Sequence, residues 1–206
     1  MINRVLITGL LLVTSVMQAS GNESENLVEG AIDKVTTLHI ALNGLKPSTD
    51  KTAAYETLGP IVKSTHDLDY IARFTLHRSW PDLNVDEQTE FTEQFEALSI
   101  LLYIDRFGDS GAATFSTEAM TVDHIPSIRG DRAEVNTSLT TEKREISLSY
   151  SLHLTEEGWR IINIVADGVS DLALRRSEYA AFIQESGFDG LTEHIDQQIA
   201  DLGTSN

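Results

Sequence analysis

The sequence predicts an α+β fold in which helices pack on one face of a curved antiparallel sheet. Three observations support this prediction. Apolar residues recur at helical spacing through the first half of the chain, alternate with polar residues from position 114 to 166, and return to helical spacing after position 170. Helices followed by consecutive strands and then by helices are typical of α+β proteins.

The N-terminus predicts a cleaved signal peptide over residues 1–21. Arg4 supplies a positive charge, residues 5–16 are almost wholly apolar, and small residues suited to cleavage follow at positions 19–21. The apolar run is shorter than the roughly 20 residues that a membrane-spanning helix requires. We therefore expect export with cleavage rather than anchoring.

Four helices are predicted before the sheet, because apolar residues there fall on one face at intervals of three and four. Asn84 and Glu87 give the capping pattern that begins the last of them, and Gly108 ends it. Pro60 lacks an N–H and is expected to break or restart the second helix. The predicted helices cover residues 25–45, 52–58, 67–77 and 84–106.

Residues 146–154 carry the strongest strand pattern, since every even position is apolar and every odd one is polar. This alternation is typical of an antiparallel strand with one dry face. Thr-Glu-Glu-Gly at 155–158 predicts a hairpin turn into the next strand. The predicted strands cover residues 114–122, 132–140, 146–154 and 159–166.

Two helices are predicted to close the chain, over residues 170–185 and 191–202, and Gly187 is expected to end the first of them. A single mature domain is predicted over residues 22–202, followed by a loose tail at 203–206. The helices offer several apolar faces to only one dry sheet face. Two arrangements are therefore open, a packed core and a hydrophobic cavity between the layers.

The charge and composition exclude several classes of function. The formal net charge is −17, which is opposite to the basic surface that nucleic acid requires and disfavours adhesion to anionic membranes. The chain has no cysteine, so disulfides, thiolate metal sites and cysteine nucleophiles are excluded. We expect a soluble monomer with no nucleic-acid partner, no metal and no cofactor.

Catalytic and metal sites find little support in the residue spacing. The six histidines are scattered, and only His66 and His77, on neighbouring predicted helices beside Asp67, could approach each other. Proton transfer in a pocket, as in an isomerase or dehydratase, would need a buried acid, histidine or phenol. The candidates are Asp67, Tyr70, Asp105, Asp123 and Tyr150. No two of them are placed by spacing as acid and base, so we predict that the protein is not an enzyme.

Arg175 and Arg176 place two cations on a predicted helix whose other faces are apolar. At least one is expected to pair with Asp171 or Glu178 on the same helix. The other could hold a phosphate or carboxylate at the rim of a pocket, because a guanidinium binds such anions through two parallel hydrogen bonds.

A run of short motifs extends from the strands into the last helices. Gly130-Asp131-Arg132 begins one strand, Tyr150-Ser151-Leu152 lies in the next, and Gly158-Trp159-Arg160-Ile161 follows the hairpin turn. Gly168-Val169-Ser170 then leads into the arginine-containing helix, and Gly187-Phe188-Asp189-Gly190-Leu191 joins the last two helices. In this order the motifs resemble those of the MlaC family, the periplasmic phospholipid-binding proteins also called toluene-tolerance proteins.

The resemblance extends upstream and covers about residues 27–200 in one register. Asp67, Ile71-Ala72-Arg73 and Trp80 fall in places that match the helical segment of the family. The chain departs from the family pattern after Gly168-Val169-Ser170: Asp171 replaces a leucine, and Leu174-Arg175 replaces an Asn-Tyr pair. These departures affect expected contacts with the head group and with partners more than they affect the fold.

The resemblance implies a periplasmic carrier with an apolar cavity between sheet and helices. It would hold phospholipid acyl chains there and move lipid between an outer-membrane lipoprotein complex and an inner-membrane ABC lipid transporter complex, with no bond-breaking step. The alternatives are a carrier of another apolar ligand, such as a hopanoid or quinone, and a pocket enzyme. The residues predicted to contact lipid are Ile71, Phe74, Phe95, Leu98, Leu102, Tyr103, Leu148, Tyr150, Leu152, Val169 and Phe182, with Arg176 at the phosphate.

Overall fold

Helices and strands follow one another in the predicted order in a computed structural model, which describes residues 14–45, 50–109, 121–122, 127–140 and 144–204. Side chains are described at residues 26–45, 50–108, 129–138 and 144–204. The helices are α1 Thr14–Gly44, α2 Lys51–Thr65, α3 Leu68–Leu76, α4 Val85–Ile104 and α5 Asp171–Thr204. The strands are β1 Thr121–Val122, β2 Ser127–Arg129, β3 Arg132–Thr140, β4 Glu145–Thr155, β5 Gly158–Ala166 and β6 Val169–Ser170.

The described strands form one antiparallel sheet in the order β1-β3-β4-β5-β6, with β2 also paired to β3. The α+β class is confirmed, and the strands predicted at 132–140, 146–154 and 159–166 are present. Only the last two residues of the strand predicted at 114–122 lie within the described residues, as β1. The short strands β2 and β6 were not predicted, because two or three residues carry no readable alternation.

The alternation in β4 separates its buried face from its exposed one. Leu148, Tyr150 and Leu152 are buried, whereas Leu154 at the hairpin end is 37% exposed. β4 and β5 meet at the predicted turn, where Gly158 adopts a φ of 98°. A side chain would be strained in that conformation, so glycine suits the position.

A β-bulge in β5 shifts the register beside the predicted cavity. Ser151 pairs with Asn163 and Leu152 pairs with Ile161, so that Ile162 is an extra residue on β5. Bulges bend a strand and increase its twist. Both Ile161 and Ile162 are consequently buried on the helix side, although they are neighbours in sequence.

The predicted helix starts are confirmed by hydrogen bonds. The Asn84 side chain accepts from the backbone N–H of Glu87 at 3.0 Å, and the Glu87 carboxylate accepts from the N–H of Asn84 at 2.7 Å. This reciprocal pair satisfies two donors that a helix leaves unpaired. Asp67 caps α3 through a single bond, in which its carboxylate accepts from the N–H of Tyr70 at 2.9 Å.

The prediction that Pro60 breaks the second helix is wrong, because α2 runs from Lys51 through Thr65 with Pro60 inside it. Both Pro60 and Glu56, whose carbonyl loses its usual donor, are exposed. Water can therefore bond that carbonyl, while the opposite face of the helix buries Leu58 and Val62.

The two predicted C-terminal helices appear as one long element, α5, interrupted at Gly187 with φ 73° and ψ −177°. The break lies at the predicted residue. The loose tail predicted from Gly203 is wrong for its first two residues, since α5 continues through Thr204. The Lys51 ammonium donates to the carbonyl of Leu202 at 2.8 Å and so helps to hold this end.

The first helix begins at Thr14 rather than at residue 25, so it includes part of the predicted signal peptide. Residues 1–13 lie outside the described residues, and the cleaved peptide 1–21 and the domain 22–202 stay predictions. Among the described residues, no helix is both long and apolar enough to cross a membrane.

Candidate functional site

A cavity of about 330 Å³ lies between the helices and the β4–β5 part of the sheet. The cavity predicted between the layers is therefore present in the folded chain. Most of its wall is hydrocarbon, contributed by α1, α3, α4, β4, β5 and the start of α5. The apolar side chains that line it are Leu38, Leu42, Leu68, Ile71, Phe95, Leu102, Phe107, Leu148, Ile161, Ile162, Ile164, Ala166, Val169, Leu172 and Leu174.

The structure divides the residues predicted to contact lipid into three groups. The largest group lines the cavity: Ile71, Phe95, Leu102, Tyr103, Leu148, Tyr150 and Val169. Phe74 and Arg176 instead line a neighbouring groove. Leu98, Leu152 and Phe182 line neither space.

The residues outside both spaces are held by other contacts. Leu98 and Leu152 are 1% and 0% exposed within the packed core. Leu152 pairs across the sheet with Ile161 on the hairpin side of the bulge. Phe182 stacks on the ring of His194, with the ring centroids 4.2 Å apart. Periodicity placed these residues on apolar faces, but a face can contact either a neighbouring side chain or a cavity.

Several cavity residues were missed by sequence reasoning. Leu38 and Leu42 lie on the apolar stripe of α1, which gave a signal for burial but none for exposure to a cavity. His66 lies in the short junction between α2 and α3 and forms an isolated bridge to Ile161. His66 was named from the sequence only as a candidate metal ligand beside His77, because no periodic pattern covers such a junction and places it at a cavity.

Two buried histidines are held by tyrosines at the cavity wall. The ring nitrogen Nε2 of His39 lies 2.6 Å from the hydroxyl of Tyr150, and Nε2 of His66 lies 2.9 Å from the hydroxyl of Tyr103. Burial lowers the pKa of each histidine to about 4 and raises the pKa of both tyrosines. All four side chains are therefore neutral near pH 7, so neither pair places a charge at the cavity wall.

His66 meets one condition for an enzyme, since it is a buried histidine on the cavity wall. However, its Nδ1 lies 3.0 Å from the hydroxyl of Thr65 and 3.2 Å from the carbonyl of Val62. Both ring nitrogens thus have protein partners, so the ring acts as a structural link between α2 and α4.

The other predicted acid–base and metal candidates do not meet at the cavity. Asp67 pairs with His153 at 2.7 Å, and neither lines the cavity. Asp105 is exposed, and Asp123 lies outside the described residues. His77 is exposed at the end of α3, whereas His66 is buried. Within the described ranges no cluster of three metal-ligating side chains occurs.

Arg175 forms the kind of ion pair that the sequence predicted for at least one of the two neighbouring arginines. Its Nε donates to the Asp171 carboxylate at 2.9 Å, one helical turn away, and its guanidinium lies over the Phe95 ring at 5.5 Å. Burial acts to lower the pKa of Arg175, but the neighbouring Asp171 and Tyr179 raise it above its usual value. Asp171, Leu174 and Arg175, which depart from the family pattern, all line the cavity.

A second space, which we call the arginine groove, adjoins the cavity. It has a volume of about 630 Å³ and is formed by the end of α3, the turn that follows it, and the first turns of α5. Asn163 and Leu172 line both spaces. The residues that line the arginine groove are Phe74, Thr75, Leu76, His77, Arg78, Ser79, Asn163, Ser170, Leu172, Ala173, Arg176, Ser177 and Ala180.

These features define a class of small α+β proteins that enclose a largely apolar cavity between an antiparallel sheet and its covering helices. The cavity is bordered by neutral hydrogen-bonded pairs and by the Arg175–Asp171 ion pair, and it adjoins the arginine groove. Such a wall suits the enclosure of an apolar molecule.

The chain belongs to the MlaC family, whose model, described as MlaC protein, matches residues 33–197. The fold is also that of a solved phospholipid-binding protein from Ralstonia solanacearum, determined in complex with a phospholipid at 1.53 Å resolution. The two structures superpose with a TM-score of 0.70 and 15% sequence identity, over 86% of this chain and 99% of the other. No curated protein matches the sequence.

Proposed function

We propose that the protein is a lipid carrier that encloses the acyl chains of a phospholipid in the cavity between sheet and helices. The observation that carries the proposal is the cavity itself, which is lined mainly by aliphatic and aromatic side chains in a chain of the MlaC family. The phospholipid bound by the R. solanacearum protein of the same fold supports this choice of ligand.

A carrier of this kind solves a problem of solvation. Exposing two chains of about fifteen methylenes each to water costs about 24 kcal/mol, at about 0.8 kcal/mol per methylene. That cost makes movement of a free lipid through water very slow. The cavity replaces the interior of the bilayer with Leu148, Ile164, Phe95 and similar groups, which offer a comparable environment and so permit release as well as uptake.

The lipid is proposed to enter where β6 joins α5. Val169 and Leu174 line the cavity there and are 52% and 58% exposed, so they mark its mouth. Asp167 and Gly168 precede this segment with φ values of 48° and 82°. Movement of the first turns of α5 about this turn would widen the cavity for two chains.

We further propose that the carrier works in the periplasm, between an outer-membrane lipoprotein complex and an inner-membrane ABC lipid transporter complex. The apolar segment at residues 5–16 supports export, and the net charge of −17 supports docking to protein partners rather than adhesion to anionic lipid. Fractionation of cells that express the full chain should place it in the periplasmic fraction with residues 1–21 removed. A full-length cytoplasmic product would contradict this location.

Mass spectrometry of the extracted ligand tests the proposed function. Protein purified without detergent or delipidation should release phospholipid into organic solvent. A hopanoid or quinone in the extract would support the alternative carriers, and an extract without lipid would contradict a lipid carrier. Incubation with defined phospholipids should return them unchanged, whereas a new product would show that the protein is an enzyme.

A further inference from the structure

The arginine groove carries a charge opposite in sign to that of the whole chain. The chain has 32 acidic and 15 basic residues other than histidine. Yet two arginines, Arg78 and Arg176, and one histidine, His77, line the groove, and none of its described lining residues is acidic. Such a local excess of cations in an acidic chain favours an anion.

Neither arginine has a carboxylate partner of the kind that several other described cations have. Lys63, Arg144, Arg160 and Arg175 each pair with a carboxylate. In the described part of the chain, no ion pair and no hydrogen bond involves the side chain of Arg78 or Arg176. Their N–H donors therefore remain available to a ligand.

Arg176 is nevertheless held in position. Its guanidinium lies 5.5 Å from the centre of the Phe74 ring. Phe74 is in turn stacked against Tyr70 at 5.9 Å and tilted against His77 at 6.4 Å. An arginine resting on an aromatic face keeps its N–H edge free to bind a planar or tetrahedral anion.

Asn163 supplies a further donor at the border with the cavity. Its Oδ1 accepts from the hydroxyl of Ser170 at 2.9 Å and from the backbone N–H of Leu172 at 3.3 Å. These two donors fix the orientation of the amide, so its NH₂ group points away from them. No acceptor for that NH₂ is present among the described residues.

We propose that the arginine groove is a phosphate site, with Arg78, Arg176 and Asn163 as the binding groups. This inference rests on the proposed carrier function, in which the site takes the phosphodiester of the lipid head group while the acyl chains occupy the cavity. Asn163 and Leu172 line both spaces, so a single lipid can reach from one to the other. The site gives the carrier a preference for phospholipid over an uncharged diacyl lipid.

A competition between two lipids with the same acyl chains tests this site. Delipidated protein is loaded from micelles that contain equal amounts of phosphatidylglycerol and diacylglycerol, and the bound ratio is measured by mass spectrometry. We expect R176Q to lower the phospholipid-to-diacylglycerol ratio about fivefold and R78Q about twofold, since exposed charge pairs contribute modestly. The double variant should lower the ratio about tenfold, because the effects of separate contacts add.

Two control variants make the result specific. R73Q removes the same charge from an exposed position on α3 that lines neither space, and its ratio should equal that of the wild type. R78K with R176K keeps both charges and should retain most of the preference. An unchanged ratio in the double glutamine variant, or an equal fall in R73Q, would overturn the proposal. If the double variant is unfolded by circular dichroism, the singly substituted R78Q decides.

Titration of delipidated protein with inorganic phosphate separates this site from the carrier function. If the wild-type protein takes up neither lipid, the carrier function is contradicted. The phosphate site would still be supported if the wild type binds phosphate and the double variant binds it about tenfold more weakly. Absence of phosphate binding as well would overturn it. The protein could instead bind phosphate while the phospholipid-to-diacylglycerol ratio stays the same in both arginine variants. That result would overturn the assignment to the lipid head group and indicate a site for free phosphate.

Discussion

The interface between sheet and helices is filled at one end and hollow at the other. At the hairpin end, Leu152 and Trp159 are 0% and 3% exposed, and the indole of Trp159 donates to the carbonyl of Leu27 on α1 at 2.9 Å. At the other end of the same strands, Leu148 and Ile164 line the cavity. The two ends use the same residue types, so composition does not decide which end is hollow.

A close contact between α1 and the sheet accompanies the filled end. A Cβ atom added to Gly30 would lie only 3.2 Å from the Trp159 ring, so the absence of a side chain lets α1 approach β5 at the hairpin end. Further along α1, Leu38 and Leu42 meet the cavity instead. The bulge at Ile162 bends β5 between the two ends. A binding cavity can thus arise from backbone geometry with an ordinary apolar core sequence.

Filling the hollow end should have the largest effect. Leu148→Trp adds an indole to a cavity of about 330 Å³, and we expect the co-purified phospholipid per protein to fall at least about tenfold. Leu154→Trp is the matched control, because Leu154 lies on the same strand, is 37% exposed and lines neither space. Unchanged lipid in Leu148→Trp would remove Leu148 from the lipid contacts, and an equal loss in the control would show a different cause.

Truncating one leucine at each end compares the two regions directly. Leu152→Ala should lower the free energy of unfolding by about 3–4 kcal/mol, because it opens a void in close packing. Leu148→Ala should cost about 1–2 kcal/mol, because that side chain already faces empty space. Urea unfolding of delipidated protein measures both values. Equal costs would mean that the two ends are packed alike when no lipid is bound.

Acid should weaken the protein through the buried histidines. His39 and His66 have a pKa of about 4 in the folded state and an ordinary value of 6.5. Between those values the unfolded chain binds the protons, so stability falls as pH drops from 6.5 towards 4. By pH 5 the loss is about 2 kcal/mol for each histidine. His39→Gln should shrink the difference between urea unfolding at pH 7 and pH 5 by that amount, and an unchanged difference would contradict it.

Removing the tyrosine hydroxyls should have the smallest effect. Tyr150→Phe removes the hydrogen bond between the Tyr150 hydroxyl and Nε2 of the buried His39, so we expect a loss of about 1–2 kcal/mol. Tyr103→Phe should cost less than about 1 kcal/mol, because Tyr103 is half-buried and water from the cavity can replace its hydroxyl at His66. Thermal unfolding of both variants shows which one loses more stability. A larger loss for Tyr103→Phe than for Tyr150→Phe would contradict this prediction.

The elements that sequence reasoning predicted well are those with local causes. The capping pair Asn84 and Glu87, the helix break at Gly187 and the alternation in β4 each depend on neighbours along the chain. Pro60 was misjudged because its effect is not local: it depends on whether this part of the helix is exposed to water, and the fold places Pro60 and Glu56 on the exposed face of α2.

The candidate site was predicted only in part, because residues in a packed core and residues that line a cavity give the same apolar pattern in the sequence. Ile71, Phe95 and Leu148 line the cavity, whereas Leu98 and Leu152 have the same apolar spacing and lie in solid packing. Likewise, neighbouring arginines gave no sign that Arg175 would pair with Asp171 at the cavity while Arg176 would lie in the groove.

The sequence by itself determined the α+β class, the apolar faces of the helices, the dry face of β4 and the excess of negative charge, since each follows from local spacing or from composition. Only the tertiary structure decided which apolar residues enclose a cavity, which arginine stays unpaired, and that His39 and His66 meet tyrosines across the fold. These contacts join residues as far apart in sequence as His39 and Tyr150. They depend on the distances between packed elements, which no local pattern of residues encodes.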